Sequence, residues 1–306
     1  MKRDIAIIVP YFGTLPIWFD LFLYSCSKNQ MLEYLFFTDC ETPAVVYENT
    51  KFINTSFKDY CLRVSLALGI NFSPQSPYKL CDLKPFYGII HQRELHDYSF
   101  WGFGDVDLIY GDLSLVLSDK RLKLFDLITT HDDRVAGHFT VIRKESKYTN
   151  MGLQIKDYKA KLENPAHVAL DEDDYTYLAY PQLRMLERIY RRVVKPFGIW
   201  HKKYFKLLNP LFCNRWTKIS FVEYFTTEVP HESEEWRYDT DTGIIKKLPV
   251  DKELPYLHFL FFKKTQYLET NNYWQDHYYN VPNLKDIMGQ HLNIRITIDG
   301  IEVCDE

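Results

Sequence analysis

Two carboxylates one residue apart, Asp105 and Asp107, are the side chains in this sequence with the clearest chemical use. They lie in Phe100-Trp101-Gly102-Phe103-Gly104-Asp105-Val106-Asp107-Leu108-Ile109-Tyr110-Gly111-Asp112, a short apolar run, an acidic triplet and a second apolar run. At a strand end the local bend cancels the usual alternation of side chains, so both carboxylates can turn toward one hard cation. Gly104 ahead of them lets backbone or ligand come close. Short acidic triplets are also common in solvated turns, so the surrounding elements must decide.

A metal-bridged phosphate site further needs cations for the phosphates and a softer ligand to complete the coordination. Lys79 and Lys84 flank Asp82 in Tyr78-Lys79-Leu80-Cys81-Asp82-Leu83-Lys84-Pro85-Phe86-Tyr87-Gly88, and Lys263 follows His258 in Leu254-Pro255-Tyr256-Leu257-His258-Phe259-Leu260-Phe261-Phe262-Lys263-Lys264. A lone histidine in an apolar strand is commonly a core residue with a satisfied hydrogen bond. Asp82 has the plain alternative of a helix cap, and Lys84 that of a solvated first-turn lysine. No GxxxxGK[ST] occurs and no GxGxxG follows a strand, so P-loop and dinucleotide chemistry are excluded as leading readings.

The elements that must position these groups follow from pattern. Ile5–Val9 is an uninterrupted apolar run of strand length, the mark of a strand buried on both faces, and residues 35–38 form a second. Thr14 and Pro16 are placed to open a helix. Ser56-Phe57-Lys58-Asp59 is a capping box opening a helix that Gly69 would close. Asp82 is placed to cap a helix running to about His91, and residues 124–130 and 139–143 read as strands. Strand, helix, strand, helix, helix, strand is the order of an open, largely parallel sheet whose ligands bind beyond the carboxyl ends of its strands. Pro10, Tyr11, Asp39, Asp105 and Asp107 all fall at such ends. Beyond residue 145 helices are expected over 148–162 and 177–194, then hairpins with turns at Asp241-Thr242-Gly243 and Asp299-Gly300. The parse is one α/β domain with a more irregular C-terminal half.

Composition bounds the function. The 306 residues carry 46% hydrophobic and 25% charged side chains, which excludes disorder and repeats as the main theme. The 23 tyrosines and 21 phenylalanines suit either stacking on sugars and bases or a bulky core. A formal net charge of −4 gives no overall pull on nucleic acid. The charge is uneven: Arg184 to Lys206 holds eight Lys or Arg and one acid, Glu187, so the segment is +7 and the remainder −11. Its cations alternate with Tyr190, Phe197, Trp200, Tyr204 and Phe205, a composition suited to an anionic membrane surface and equally to an ordinary solvated helix. The six cysteines form no CxxC pair, which fits free thiols in a reducing compartment. Pro10, Gly13, Pro16 and Asp20 break the N-terminal apolar run before it could span a bilayer, and a cytoplasmic protein is expected, peripheral on the inner membrane face if the basic segment binds there.

The segments at 78–88 and 100–112 together resemble bacterial GT-A glycosyltransferases. More narrowly, they are similar to glycosyltransferase-like proteins encoded in capsule and lipopolysaccharide gene clusters, distant relatives of initiating mannosyl- and galactosyltransferases. The resemblance covers about residues 1–145. It implies a GT-A fold in which residues 1–145 bind the nucleotide-sugar and residues 146–306 complete the metal and acceptor sites. Asp105 and Asp107 would bind Mn²⁺ or Mg²⁺ against the diphosphate, with His258 as a further ligand and Lys263 beside it. Pro10 and Tyr11 would border the base, Asp39 the base or ribose, and Lys79, Asp82, Lys84 and Gly104 the sugar-phosphate region. The implied activity is transfer from a nucleotide-sugar, a UDP-hexose by expectation, to a glycan or lipid-linked acceptor in surface polysaccharide synthesis. On the acceptor side His138, Asp171 and Asp173 are candidate catalytic groups, since an inverting enzyme needs a base. The acidic run 171–174 also suits a solvated helix N-terminus. The rival readings are a nucleotidyltransferase on a related fold and a non-catalytic carbohydrate-binding or scaffold protein.

Overall fold

The computed structural model describes residues 3–16, 18–131, 134–194, 196, 235–258, 292–297 and 300–304. Its first half builds one six-stranded sheet. β1 (Ile5–Pro10) is followed by helix α1 (Phe19–Ser27), β2 (Leu32–Thr38), β3 (Thr50–Asn54) and helix α2 (Phe57–Leu68). Then come β4 (Phe100–Gly104), β5 (Leu108–Tyr110), β6 (Leu127–Thr129) and β7 (Phe139–Arg143). The sheet order is β3-β2-β1-β4-β7-β6. β3, β2, β1 and β4 run parallel, whereas β7 is antiparallel to β4 and β6 to β7. The chain is therefore α/β with a mixed, mostly parallel sheet, as its strand–helix alternation leads one to expect.

β1 shows why the central strands read as continuous apolar runs. Ile5, Ile7 and Val9 point into one core with α1, while Ala6 and Ile8 point into a second core with α2. A strand covered on both faces leaves no position for a polar side chain. α2 forms where its cap dictates: Ser56 Oγ accepts from Asp59 N at 3.1 Å, and Gly69 closes the helix in the left-handed region at φ 62°. α1 starts at Phe19, later than Thr14 and Pro16 suggest, and no side chain caps it.

The C-terminal part is richer in strands. β8 (Glu235–Asp239), β9 (Ile245–Leu248), β10 (Lys252–Leu254), β12 (Asn293–Thr297) and β13 (Gly300–Cys304) form an antiparallel sheet in the order β10-β9-β8-β12-β13. Trp236, Tyr238, Ile245, Ile294 and Ile296 bury against the α1 side of the first sheet, in one continuous core. Both expected hairpins are present, although in the second Gly300 pairs with Thr297 and belongs to β13, not to the turn. Between β10 and β12, β11 (Tyr256–His258) leaves that sheet and pairs antiparallel with β5.

One local expectation fails. Asp82 does not cap a helix running to His91: it lies inside a 3-10 helix, Pro77–Phe86, followed by a single α-turn, Tyr87–Ile90. Its carboxylate, fully buried, pairs with Lys79 Nζ at 2.9 Å and His167 Nδ1 at 3.1 Å, and accepts the backbone N–H groups of Val168 and Leu170. Lys79 Nζ also donates to the carbonyls of Lys161 and Ala166. The pair thus clasps residues 161–170 to the 3-10 helix. Burial alone would raise the Asp82 carboxyl, but hydrogen bonds from His167 and Lys79 more than offset it, leaving it below its ordinary 3.8. The lowered value means that this group's contribution to stability is present above pH 3.8 and is lost as the pH falls through it.

Asp82→Ala, which strands a buried ammonium and two backbone donors, should cost about 3–5 kcal/mol in urea unfolding at neutral pH. That deficit should shrink at acid pH, and a deficit below ~1 kcal/mol would place the clasp outside the stabilising core.

Candidate functional site

The carboxyl end of β4 gathers segments from across the chain. Asp105 follows the strand directly, and its N–H donates to the carbonyl of His138 at the start of β7, at 3.0 Å. Val106 is tied to the loop after β1, because Trp18 Nε1 donates to its carbonyl at 2.9 Å. Asp107 then turns inward and is 2% exposed, whereas the Asp105 side chain remains one-third exposed at the rim. The two carboxylates therefore emerge from one bend, one buried and one accessible, as an acidic triplet at a strand end permits.

The β5–β11 pairing brings the late histidine to them. His258 stands opposite Leu108, next to Asp107 in the chain, and its Nε2 lies 3.5 Å from Asp107 Oδ2. The imidazole is stacked on that of His138, with ring centroids 4.1 Å apart and planes at 25°. His131 meets His138 edge-on, with ring centroids 5.3 Å apart. His138 is in turn fixed by Tyr256, whose hydroxyl lies 2.8 Å from its Nε2 and donates to Thr130 Oγ1 at 2.6 Å. Burial, reinforced by the neighbouring His258 and His131, holds His138 well below the ordinary histidine range, so the ring is neutral.

Opposite the histidines stands Lys84, on the 3-10 helix. Its buried ammonium pairs with Asp105 Oδ1 at 2.8 Å and lies 3.9 Å from Asp171 Oδ2. Burial works against its charge, and the two carboxylates, Asp105 first, outweigh burial and hold it protonated. Asp171, 4% exposed, is pushed up to about 7 by burial, partly countered by Lys84. It fits there because residue 137 is glycine: a Cβ at that position would sit 2.7 Å from Asp171 Oδ2.

The expected site residues therefore divide. Asp105, Asp107, His258, His138, Lys84 and Asp171 converge. Pro10, Tyr11 and Asp39 share the neighbouring ends of β1 and β2, where Tyr11 N donates to the carbonyl of Phe37 and Asp39 Oδ1 accepts from Gly13 N. Lys79 and Asp82 lie instead in the buried clasp. Asp173 is exposed, with burial of part of its carboxyl and its acidic neighbours raising its pKa, and it stands with Asp174 and Glu172 as surface charge. Gly104 is buried, and the space a Cβ would need is held by Tyr110 Oη at 2.7 Å, so this glycine makes room for a core tyrosine. Lys263 lies outside the described residues. Tyr256 and Thr130 escaped the sequence reading, although Tyr256 is two residues from His258 and a strand's period of two puts both on one face.

The donor types fit a divalent cation of hard or borderline character: two carboxylates and an imidazole. Asp107 and His258 already face each other. Asp105 turns to Lys84, and among the described residues no three His, Cys, Asp or Glu side chains are gathered around one point. Among the described residues no helix is long and apolar enough to cross a membrane.

Among solved structures, the chain is similar to a galactosyltransferase, LgtC, crystallised in complex with donor and acceptor sugar analogues. The identity is 10% and the TM-score 0.32, over 57% of this chain and 70% of that one. An active-site mutant of LgtC aligns at 10% identity and a TM-score of 0.28, over 57% and 69%. No curated protein matches the sequence. A family model described as a family of unknown function, DUF6625, matches residues 7–286, from within β1 to beyond β11. The chain belongs to that family.

Proposed function

We propose that this protein is a GT-A glycosyltransferase that takes its sugar from a nucleotide-sugar donor, a UDP-hexose in the first instance, with Mn²⁺ or Mg²⁺ as cofactor. The observation that carries the reading is the approach of His258 to Asp107 across the β5–β11 pair, beside Asp105 at the carboxyl end of the central strand β4. Ligands of open α/β sheets bind at such ends. Asp105, Asp107 and His258 would hold the cation, and Pro10, Tyr11 and Asp39 would border the nucleoside at the ends of the next two strands, β1 and β2. When bound, the cation neutralises the charge that develops on a departing nucleoside diphosphate.

The remaining residues have roles that follow from where they stand. Lys84 sits between Asp105 and Asp171 and can exchange a carboxylate for a phosphate oxygen without leaving its buried position. Asp171, held partly protonated near neutral pH, can accept or donate a hydrogen bond to a sugar hydroxyl. His138 acts as a positioning residue: its Nε2 is engaged by Tyr256 and its face supports His258. Acceptors of two kinds remain in play, a glycan or a lipid-linked sugar, in surface polysaccharide synthesis.

Titrating UDP into the protein by calorimetry, with and without Mn²⁺, tests this reading. Binding should require the metal, and UDP-hexose should be slowly hydrolysed in its presence. Asp107→Asn and His258→Ala should each abolish the metal-dependent binding; if either binds as wild type does, the assignment fails. Tyr256→Phe, which frees His138 while leaving all proposed ligands in place, should weaken Mn²⁺ affinity by about tenfold.

Lys84→Met gives an independent electrostatic check. Lys84 lowers the Asp171 carboxyl, so its removal should move that titration above about 7, read by carboxyl carbon NMR. A titration that stays put or falls would show that the two groups are not coupled.

A further inference from the structure

The helix Pro181–Ile189 and the wider turn Tyr190–Val194 that extends it bear a surface that the transfer chemistry does not use. Leu186 and Tyr190, both under 8% exposed, seat the helix on the protein. On the outer side Met185, Ile189 and Val193 are exposed by 52%, 40% and 56%. They follow one another at four-residue steps, which places them as successive neighbours along the helix surface. Arg188 and Arg192, each one residue ahead of an apolar neighbour, are exposed beside it.

Three exposed aliphatic side chains lined up along a helix, with arginines alongside, cost solubility unless something covers them. Among the described residues, the exposed apolar pair Leu62 and Leu66 on α2 has Lys58 and Asp59 exposed nearby, charges of both signs that favour no partner by charge. The 181–194 stripe differs in the sign of its border. The sequence adds to that sign, since residues 184–206 carry +7 on a chain whose remainder is −11. Apolar residues flanked by cations match one kind of partner by both shape and charge: the headgroup–acyl boundary of an anionic bilayer, in which such a helix lies flat.

We infer that helix 181–194 is a membrane-docking surface that seats the protein on anionic lipid, with Met185, Ile189 and Val193 entering the boundary and Arg188 and Arg192 pairing with phosphates. Its position has a consequence for the site. The helix begins ten residues after Asp171 and packs through the turn Thr176–Ala179 against the segment that carries Asp171. Docking there anchors the part of the chain that packs against the Asp171 segment. The inference does not depend on the transfer reaction, because binding to lipid is read without donor or metal.

The test uses the full chain and vesicles of phosphatidylcholine, alone or mixed with phosphatidylglycerol, by co-sedimentation and with metal–UDP binding followed in parallel. Wild-type protein should sediment with the anionic vesicles, remain in solution with neutral ones, and be released by added salt. The double change Arg188→Gln with Arg192→Gln should weaken partition about thirtyfold. Ile189→Glu should abolish it, with Met185→Glu as the second variant should Ile189→Glu fold poorly. Metal–UDP binding should be unchanged in all of them. The inference is overturned if wild-type protein ignores anionic vesicles or if the variants partition as wild type does. It is equally overturned if gel filtration shows the stripe sealing an oligomer that Ile189→Glu dissociates.

Discussion

The candidate site of this protein depends on a pairing of three residues with three. β5, directly after the acidic triplet, and β11, near residue 258, form a two-strand ribbon, with Leu108 opposite His258 and Tyr110 opposite Tyr256. Short antiparallel ribbons have little stability alone. This one is held because its side chains enter the main core: Leu108, Ile109, Tyr110, Tyr256 and Leu257 are all under 1% exposed. Since a one-residue slip would reverse every side chain, burial on this scale fixes the register, and the register sets His258 beside Asp107. Chemistry-bearing residues 151 positions apart in sequence (258 minus 107) thus meet through hydrophobic packing.

Two lysine–carboxylate pairs, five residues apart in sequence, show how burial and partner number separate structure from function. Lys79 and Asp82 are both enclosed and all their bonds go to the protein, with two carbonyls on one side and two N–H groups on the other. Such a pair has no capacity left for a ligand and acts as a clasp. Lys84 faces Asp105 at a rim where that carboxylate is one-third exposed, and a second carboxylate, Asp171, waits at 3.9 Å. One cation between two acids, with water reaching one of them, is an arrangement that can change partners. Its electrostatics are accordingly unsettled: Asp171 lies at about 7, where small changes of environment alter its charge.

Much of this was legible in the sequence, for reasons that differ by element. β1 and the apolar stretch of β2 announced themselves because strands buried on both faces are dominated by apolar residues, and α2 because its cap is local chemistry written in four residues. Asp105 and Asp107 could be singled out because their neighbours are the strands that position them. The clasp was not legible: Asp82 looks like a helix cap, and only the return of residues 161–170 shows that it caps a distant loop. Gly104 suggested ligand approach, and only the long-range packing of Tyr110 explains it. His258 was recognisable as a candidate through family resemblance, yet its partner depended on a strand leaving one sheet for another. No local pattern encodes that step. The support of His138 by Tyr256 and Thr130 was hidden for the same reason, being assembled from residues 130, 138 and 256.

The central claim is that Asp107 and His258 form one divalent-cation site at the end of β4, and electron spin echo spectroscopy of Mn²⁺ bound with UDP tests it most directly. Wild-type protein should show nitrogen modulation from one directly coordinated imidazole, and His258→Ala should lose it while His138→Phe keeps it. A spectrum without nitrogen coupling in the wild type, or one that survives His258→Ala, would contradict the account.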